Sequence, residues 1–310
     1  MFVNKGKKKG CGCYYAPACF CLPRGSKSTA LPVLRAQDAL IRSRGMTYYG
    51  SNMTERASRV AAVYDIHGNL PALEAVLSDL KRVEPDLVVV GGDVASGPMP
   101  TEVLDRLMAL KERVRFVRGN ADREVLAAYR GGRSAIEAYI SDPALRMSGW
   151  AAARLEERHY DLLASFSERL IVETEGIGEV LFCHATPRSD EEILTTATPD
   201  DRLREILSEV DQHLVVCGHV HTQFDRRVDG KRVINAGSVG MPYQGEPVGA
   251  FWLLLDFEVK FRRSRYDLRR AVGEFRAIGY PAADDMAESL LEPPDPEWVA
   301  EFFERQVAND

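Results

Sequence analysis

The sequence predicts an α/β protein in which strands and helices alternate along the chain. Three apolar segments of strand length come first, and each ends in a polar turn that contains glycine. Helix-like segments separate these strands, as in a parallel sheet with crossover helices. Because ligands bind at the carboxyl ends of strands in open α/β sheets, we expect the polar turns to form the functional site.

The elements of the first half alternate regularly. They are strand 59–66, helix 70–83, strand 87–90, helix 101–110 and strand 114–117. The first strand is an apolar run that leads into Asp65, His67 and Gly68, as expected of a buried parallel strand that ends in a sharp turn. If strand geometry persists to this end, Asp65 and His67 point to the same face and can bind one metal ion.

A helical insert is predicted over residues 121–168, with breaks at Gly131, Gly132 and Pro143. Strands and helices then return. They are strands 170–173 and 179–183, helix 199–210, strand 214–217, strands 250–257 and 259–265, and helices 268–278, 282–291 and 298–306. The Asp229-Gly230 pair between two strand-like runs indicates a β-hairpin.

The composition is that of a globular protein and disfavours two kinds of partner. Of the 310 residues, 45% are hydrophobic and 28% charged, which suits one large domain or two small ones. The formal net charge of −6 does not favour nucleic acid as a partner. No apolar run approaches the roughly 18 residues that cross a bilayer, so we expect no membrane partner. The sequence leaves the oligomeric state open.

The first 57 residues differ from the rest of the chain. Four of the six cysteines lie there in two Cys-X-Cys pairs: Cys11, Cys13, Cys19 and Cys21. A small zinc site is one interpretation, although zinc knuckles usually have the wider C-x2-C spacing. A secretory signal is another, but prolines interrupt its short apolar part. We expect a disordered extension, with Met46 or Met53 as an alternative start.

The other two cysteines indicate the compartment. Cys183 and Cys217 lie in apolar strand-like runs, where we interpret them as small buried side chains. No disulfide framework is indicated for the body of the chain, as expected in a reducing environment. We therefore expect a cytoplasmic protein.

Seven side chains with oxygen or nitrogen donors follow five of the predicted strands. They are Asp65, His67, Asp93, Asn120, His184, His219 and His221. This donor set suits divalent cations such as Mn²⁺, Fe²⁺ or Zn²⁺. One ion does not need seven donors, whereas two ions about 3.5–4 Å apart that share a bridging carboxylate do. The sequence therefore predicts a site for two divalent cations.

In these motifs the sequence resembles the calcineurin-like metallophosphoesterases. The family motifs occur in order: D-x-H at 65–67, G-D at 92–93, G-N at 119–120, a single His at 184 and G-H-x-H at 218–221. The resemblance covers residues 59–266 and implies a four-layer α/β/β/α sandwich. It divides the chain into an extension (1–57), a metallophosphoesterase domain (58–266) with the insert (121–168), and C-terminal helices (267–310).

The resemblance also implies roles for the seven residues. Those that would hold the first metal ion are Asp65, His67 and His221. Those that would hold the second are Asn120, His184 and His219, with Asp93 as the bridge and Asn120 also near the substrate. A metal-bound hydroxide would attack the phosphorus of a small phosphoester. We expect Mn²⁺ first, with Fe, Zn or Ni as alternatives.

One position departs from the family pattern. Many members have G-N-H-[ED], and this histidine protonates the leaving group or binds phosphate, but here Ala121 follows Asn120. The chain thus resembles the small bacterial phosphodiesterases more than the protein Ser/Thr phosphatases. A leaving group of low pKa or another acid would have to compensate. His159 in the insert is a candidate acid, with a solvated helical histidine as the alternative.

Other residues near the motifs are candidates for supporting roles. Asn69 could contact phosphate, and Arg188 could bind it as a bidentate donor or form a surface salt bridge instead. Asp122 could orient a ligand histidine. The loop at 235–238 resembles a recurrent family loop that packs near the site.

The expected function is hydrolysis of small phosphodiesters or nucleotides. A phosphomonoesterase and a symmetrical dinucleoside polyphosphate hydrolase are alternatives among enzymes. A non-catalytic scaffold, like a retromer subunit that resembles this family, would have lost metal ligands, whereas all seven are present. A nuclease is disfavoured by the net acidity, although the lysines within residues 5–9 keep that alternative open.

Overall fold

The computed structural model describes residues 55–307. The predicted zinc site and secretory signal, and the extension up to residue 54, lie outside these residues. Residues 55–57 belong to the fold, contrary to their assignment to the extension. They form a short strand parallel to residues 172–174, and Arg115 binds Glu55 at 2.7 Å. Three residues are too few for a periodic pattern to reveal a strand.

Eleven strands form two sheets in the described part. They are β1 (Glu55–Ala57), β2 (Arg59–Val63), β3 (Leu87–Val90), β4 (Val114–Phe116), β5 (Arg169–Thr174), β6 (Gly178–Cys183), β7 (Leu214–Cys217), β8 (Phe224–Val228), β9 (Lys231–Asn235), β10 (Ala250–Asp256) and β11 (Glu258–Ser264). The first sheet has the order β11-β10-β2-β3-β4 and the second β1-β5-β6-β7-β9-β8. β2, β3 and β4 are mutually parallel, and so are β6, β7 and β9.

Ten α-helices accompany the sheets in residues 55–307. They are α1 (Leu70–Val83), α2 (Pro100–Met108), α3 (Asn120–Arg130), α4 (Gly132–Ser141), α5 (Arg146–Ala152), α6 (Glu157–Ala164), α7 (Asp200–Leu207), α8 (Leu268–Ala277), α9 (Ala283–Leu291) and α10 (Pro296–Val307). The segment after β4 is helical, with breaks near the predicted Gly131, Gly132 and Pro143. None of the helices described here is long and apolar enough to cross a bilayer.

The layers follow from strands that are buried on both faces. In β2, Ala61 packs against the core beneath α1, α2 and α3, whereas Ala62 packs between the two sheets together with Phe182. The outer face of the second sheet packs against α7 and α10, which contribute Leu203 and Phe303. The layer order is therefore helix, sheet, sheet, helix, and the predicted four-layer α/β/β/α sandwich is confirmed.

The C-terminal helices form a smaller apolar cluster beside the insert. Phe275 of α8 and Met286 of α9 pack in one cluster with Met147 and Trp150 of α5 and with Met241. Trp150 also donates a hydrogen bond from Nε1 to the Pro98 carbonyl at 3.0 Å. These contacts fix α5 beside the loop that follows β3, next to the carboxyl ends of the first sheet.

Candidate metal centre

The carboxyl ends of parallel strands in both sheets meet at one edge of the sandwich. In the first sheet, the Asp65 amide donates to the Gly92 carbonyl at 3.1 Å, and the His67 amide donates to the Asp93 carbonyl at 2.9 Å. In the second, the Gly218 amide donates to the His184 carbonyl at 2.7 Å. The loops that carry the predicted ligands are thus held together by backbone hydrogen bonds.

The backbone at this edge is left-handed rather than extended. Five predicted ligands have positive φ angles: Asp65 (53°), His67 (45°), Asp93 (52°), His219 (71°) and His221 (58°). β2 ends at Val63, so the expectation that strand geometry persists to His67 is wrong. Each D-x-H or H-x-H motif instead places two left-handed residues around one central residue, and this turn directs both side chains inward.

Six of the predicted ligands form two compact, buried groups. Asp65, His67 and His221 make up one group and Asp93, His184 and His219 the other, and in each group the ligand atoms lie within 4.8 Å of one another. The groups coincide with the two metal positions that the motifs predict.

Asp93 lies between the two groups. Its Oδ2 is 3.6 Å from Nε2 of His67 in one group and 3.5 Å from Nε2 of His184 in the other. Its Oδ1 accepts a hydrogen bond from the Ala121 amide at 2.9 Å. One carboxylate oxygen is thus fixed by the backbone while the other faces ligands of both groups, as a bridging carboxylate must.

Backbone carbonyls determine which nitrogen of each histidine faces the site. Nδ1 of His67 lies 3.0 Å from the Ser96 carbonyl, and Nδ1 of His221 lies 2.7 Å from the Met241 carbonyl. A carbonyl accepts only from N–H, so both rings carry their proton on Nδ1 and a lone pair on Nε2. These two Nε2 atoms are only 3.1 Å apart. Two lone pairs at this distance repel each other, and a shared cation relieves the repulsion.

The second group is oriented in the same way. Nδ1 of His184 lies 2.9 Å from the Gly91 carbonyl, so its Nε2 faces the Asn120 Oδ1, 3.1 Å away. His219 has the opposite tautomer, because its Nε2 lies 3.1 Å from the Glu191 carbonyl. Its Nε2 therefore carries the proton and its Nδ1 the lone pair. The Asn120 side chain therefore lies beside the second group, and its role as a ligand stays a prediction.

The electrostatics of the two groups favour bound cations. Burial lowers the pKa of His67 and of His221, and burial together with His184 lowers that of His219 to about 3. These three rings are therefore neutral, as metal ligands must be. Burial disfavours the imidazolium of His184 as well, but Asp93 raises its pKa to about 10. Cation binding at His184 is therefore coupled to proton release.

The carboxylates are crowded into the same buried space. Burial raises the pKa of Asp65 well above its usual value and raises that of Asp122 to about 7. Burial acts against the charge of Asp93 too, but His184 and His67 hold its pKa well below the usual range. The Oδ1 atom of Asp65 is buried without a hydrogen-bond partner among the described residues. Such an atom is costly unless it binds a cation, so the two buried groups fit a dinuclear divalent metal site.

Asp122 supports the site from behind. Its carboxylate accepts hydrogen bonds from three backbone amides, those of Asp93 at 2.9 Å, Val94 at 2.9 Å and Gly119 at 3.1 Å. It therefore fixes the loops after β3 and β4. The sequence had suggested a different role, the orientation of a ligand histidine.

The loop after β9 supports the other side. Ser238 Oγ donates to the Asp65 carbonyl at 2.8 Å and accepts from the Met241 amide at 2.8 Å. The Gly240 amide also donates to the Asp65 carbonyl, at 2.9 Å. This loop therefore holds both the first motif and the carbonyl that orients His221, and the prediction that it packs near the site is confirmed.

Two of the predicted substrate contacts, Asn69 and Arg188, are bound to other groups of the protein. Asn69 is fully buried; its Oδ1 accepts from the Ala72 amide at 3.1 Å, and its Nδ2 donates to the Gly240 carbonyl and to Tyr266 Oη. These bonds use both amide hydrogens, so Asn69 caps α1 and does not face a phosphate. Arg188 binds Glu192 at 2.7 Å and Glu205 at 3.0 Å on the surface, the salt bridge named as its alternative.

His159 is neither a solvated residue nor part of the site. Its side chain is fully buried, and Nε2 lies 3.1 Å from Asp105 Oδ1. Its Nδ1 accepts a hydrogen bond from the Glu156 amide at 3.2 Å. It therefore caps α6 and links it to α2, which excludes it as the missing acid.

Two cavities flank the ligands. A pocket of about 30 Å³ is lined by residues of both groups, by Ala121, and by Glu124, Met147 and Ser148 from the insert. A larger cleft of about 530 Å³ begins at His184 and is lined by charged residues of both signs. The arginines in its lining are Arg118, Arg123, Arg169 and Arg188. Sequence patterns gave no indication of Glu124 or Ser148.

Fold and site together define a metal-dependent phosphoesterase. Residues 59–258 match the family described as the calcineurin-like phosphoesterase superfamily domain. The match spans well over half of the chain. The protein therefore belongs to the calcineurin-like phosphoesterase superfamily.

The chain is similar to several known proteins. The chain is similar to Uncharacterized protein MJ0912 of Methanocaldococcus jannaschii, with 29% identity over 233 residues, which cover 69% of this chain and 90% of that protein. It is also similar to a solved metallophosphoesterase from Sphaerobacter thermophilus, with a TM-score of 0.61, 26% identity and coverage of 76% and 99%. The hypothetical protein PH1004 from Pyrococcus horikoshii OT3 shares the fold, with a TM-score of 0.66, 20% identity and coverage of 76% and 97%.

Proposed function

We propose that this protein is a phosphodiesterase that hydrolyses small phosphodiesters or nucleotides at two divalent cations. The observation that carries the proposal is the placement of Asp93 Oδ2 between two buried ligand groups, 3.6 Å from His67 and 3.5 Å from His184. When bound, the cations lower the pKa of water and neutralise phosphoryl oxygens. The solved metallophosphoesterase from Sphaerobacter thermophilus supports the same reaction class.

The chain's own residues provide the fixed frame for this chemistry. Asp65, His67 and His221 would hold one cation, His184, His219 and Asn120 the other, and Asp93 both. Backbone carbonyls fix the four rings, so little reorganisation is needed when cations and substrate bind.

The two cavities beside the ligands are the basis for proposing a diester. A diester has two substituents on phosphorus, and the ligands are flanked by the small pocket beside Asn120 and by the large cleft beside His184. A monoester would need only one of these spaces. The charged lining of the large cleft suits a polar substituent such as a nucleoside or a sugar.

The metal and the compartment are part of the proposal. Oxygen and imidazole ligands without thiolate suit Mn²⁺, our first choice, and also Fe, Zn or Ni. Cys183 and Cys217 are buried free thiols, which agrees with a reducing cytoplasm.

Metal content and two substrates test the proposal. Purified protein is analysed for bound metal and assayed with a nitrophenyl phosphodiester and the corresponding monoester, with and without Mn²⁺. We expect two metal ions per chain and faster hydrolysis of the diester. Preference for the monoester would make the protein a phosphomonoesterase. Absence of both metal and turnover with every divalent ion would favour a scaffold.

A further inference from the structure

Glu124 occupies the pocket at the metal centre without belonging to either ligand group. It lies four residues after Asn120 in α3, and residues four apart lie on the same face of a helix. Both side chains line the pocket of about 30 Å³, together with His67, Asp93 and the Ala121 methyl group. The carboxyl group of Glu124 is therefore one helical turn beyond the second ligand group.

Hydrogen bonds fix the position of this carboxyl group. Ser148 of α5 donates from Oγ to Glu124 Oε2 at 2.8 Å, and Ser148 Oγ lies 3.0 Å from Ser96 Oγ. The carbonyl of Ser96 in turn accepts from Nδ1 of His67 at 3.0 Å. A continuous path of side chain and backbone thus connects Glu124 with a ligand of the first group.

Only one Glu124 oxygen has a partner in this path. The bond from Ser148 is to Oε2, and Glu124 itself lines the pocket that the predicted ligands share. Met147 and Ala144 contribute apolar surface to the same lining. Among the described residues that line this pocket, Glu124 is the one titratable residue that is not a predicted metal ligand.

We propose that Glu124 donates the proton to the leaving-group oxygen of the substrate, a role that Ala121 cannot fill. This inference rests on the proposed phosphodiesterase function. In the step, a water oxygen bonds to phosphorus as the bond from phosphorus to the ester oxygen breaks. The proton of the Glu124 carboxyl group passes to that oxygen, which leaves as an alcohol. The proton lost by the water passes to solvent, and Glu124 regains one from solvent, so that one water is consumed.

The environment of Glu124 is consistent with this role. Burial raises the pKa of the Glu124 carboxyl to about 7, against the hydrogen bond from Ser148, which lowers it. The charge of Asp93 raises this pKa as well, Arg123 lowers it and Glu191 raises it. A carboxyl group with a raised pKa keeps its proton near neutral pH, where a solvated carboxyl group has already lost it, so it can act as a general acid.

A series of aryl methyl phosphodiesters, from nitrophenyl to unsubstituted phenyl, tests the role of Glu124. Nitrophenolate leaves without help, whereas phenolate needs a proton. We expect Glu124→Gln to lower kcat/KM for the phenyl ester by about 10² or more and to change that for the nitrophenyl ester by no more than about threefold. For Glu124→Gln, a plot of log kcat/KM against the pKa of the leaving group should therefore be steeper than for the wild-type protein.

Two controls separate this role from others. Glu137→Gln makes the same change at an exposed residue of α4 that pairs with Arg133 and should leave the slope unchanged. Titration of Mn²⁺ into the apoprotein, followed by calorimetry, should give the wild-type stoichiometry and affinity for Glu124→Gln. Lower stoichiometry would make Glu124 a metal ligand and overturn the proposal.

The outcomes distinguish the two proposals. If the wild-type protein hydrolyses no diester, the proposed function fails. If it hydrolyses the nitrophenyl ester but Glu124→Gln leaves the slope unchanged, only the role of Glu124 fails. Ser148→Ala, which removes the positioning hydroxyl, should steepen the slope less than Glu124→Gln does. A loss shared equally by all esters would instead indicate a structural role.

Discussion

At the scale of single residues, the site depends on side chains whose directions are fixed by the backbone. Four histidines each have one ring nitrogen against a carbonyl, at 2.7 to 3.1 Å. Asp93 has one oxygen held by the Ala121 amide. The ligands are therefore preorganised, and a change in one of them should act on metal binding before it acts on folding.

Replacing Asp93 with Asn tests the bridge. The amide oxygen can still accept from Ala121, so the fold should persist, but the charge shared by the two groups is lost. We expect no measurable diester hydrolysis and one bound metal ion or none, determined by elemental analysis. Asp211→Asn, at an exposed position, is the control. Two bound ions and near-normal turnover in Asp93→Asn would refute the bridging role.

Gly119 tests how closely the backbone approaches the bridge. A Cβ atom at this residue would lie 2.2 Å from Asp93 Oδ1 and 2.6 Å from the Asp93 amide nitrogen. We expect Gly119→Ala to destabilise the protein by about 1–3 kcal/mol and to weaken metal binding, measured by thermal unfolding and calorimetry. In contrast, Gly273→Ala adds a Cβ with nothing within 4 Å and should be neutral or stabilise α8 by up to about 1 kcal/mol. Equal effects at both glycines would contradict the packing argument.

At the scale of elements, α3 connects the metal centre with the insert. Its first turn contains Asn120, Ala121 and Asp122, and its second turn contains Glu124. Asp122 holds the loops after β3 and β4, and Glu124 reaches Ser148 of α5. A shift of α3 would therefore alter ligand, bridge and pocket together.

Asp122→Asn tests this connection. In the variant, an NH2 group replaces one of the two carboxylate oxygens and cannot accept hydrogen bonds. If it replaces Oδ2, the bonds from the Asp93 and Gly119 amides are lost. If it replaces Oδ1, the bond from the Val94 amide is lost. We expect a loss of about 1–3 kcal/mol in the free energy of unfolding and weaker metal binding. Chemical denaturation measures the first effect. Asp161→Asn, exposed in α6, should change neither quantity; if Asp122→Asn is equally silent, the support role is wrong.

Particular residues show how far the sequence predicts the structure. The sequence reveals Asp65, His67 and Asp93 because each follows an apolar strand. The position of a residue just after a strand can be read from its neighbours in the sequence. Glu124 could not be found in this way, because its contact with Ser148 depends on how α3 packs against α5. The same holds for Asn69, since a helix cap and a phosphate ligand have the same local pattern of a polar residue before a helix.

At the scale of the whole molecule, the candidate metal centre joins the two sheets. Asp65 and His67 follow a strand of the first sheet, whereas His221 of the same group follows a strand of the second. Asp93 and His184 connect the sheets in the second group in the same way. Bound cations should therefore stabilise the sandwich as a whole.

Removal of metal tests this coupling. An ion at 100 times its Kd adds about 2.7 kcal/mol to the free energy of unfolding, so two ions add roughly 5 kcal/mol. For a chain of this size we expect a chelator to lower Tm by about 10 °C, and Mn²⁺ to restore it, in a thermal melt monitored by circular dichroism. The Asp93→Asn variant should respond less than the wild type. An unchanged Tm after verified metal removal would show that the sheets do not depend on the ions.

The left-handed backbone at the strand ends has a cost in stability. Five non-glycine ligands with positive φ each cost about 1–2 kcal/mol, and together they approach the net stability of a whole domain. If only thermodynamic stability mattered, glycine would be favoured at these positions, because it adopts positive φ angles without strain. Glycine at one of these positions would relieve the backbone strain but would also remove a predicted ligand, and with it the stability that the bound cation contributes.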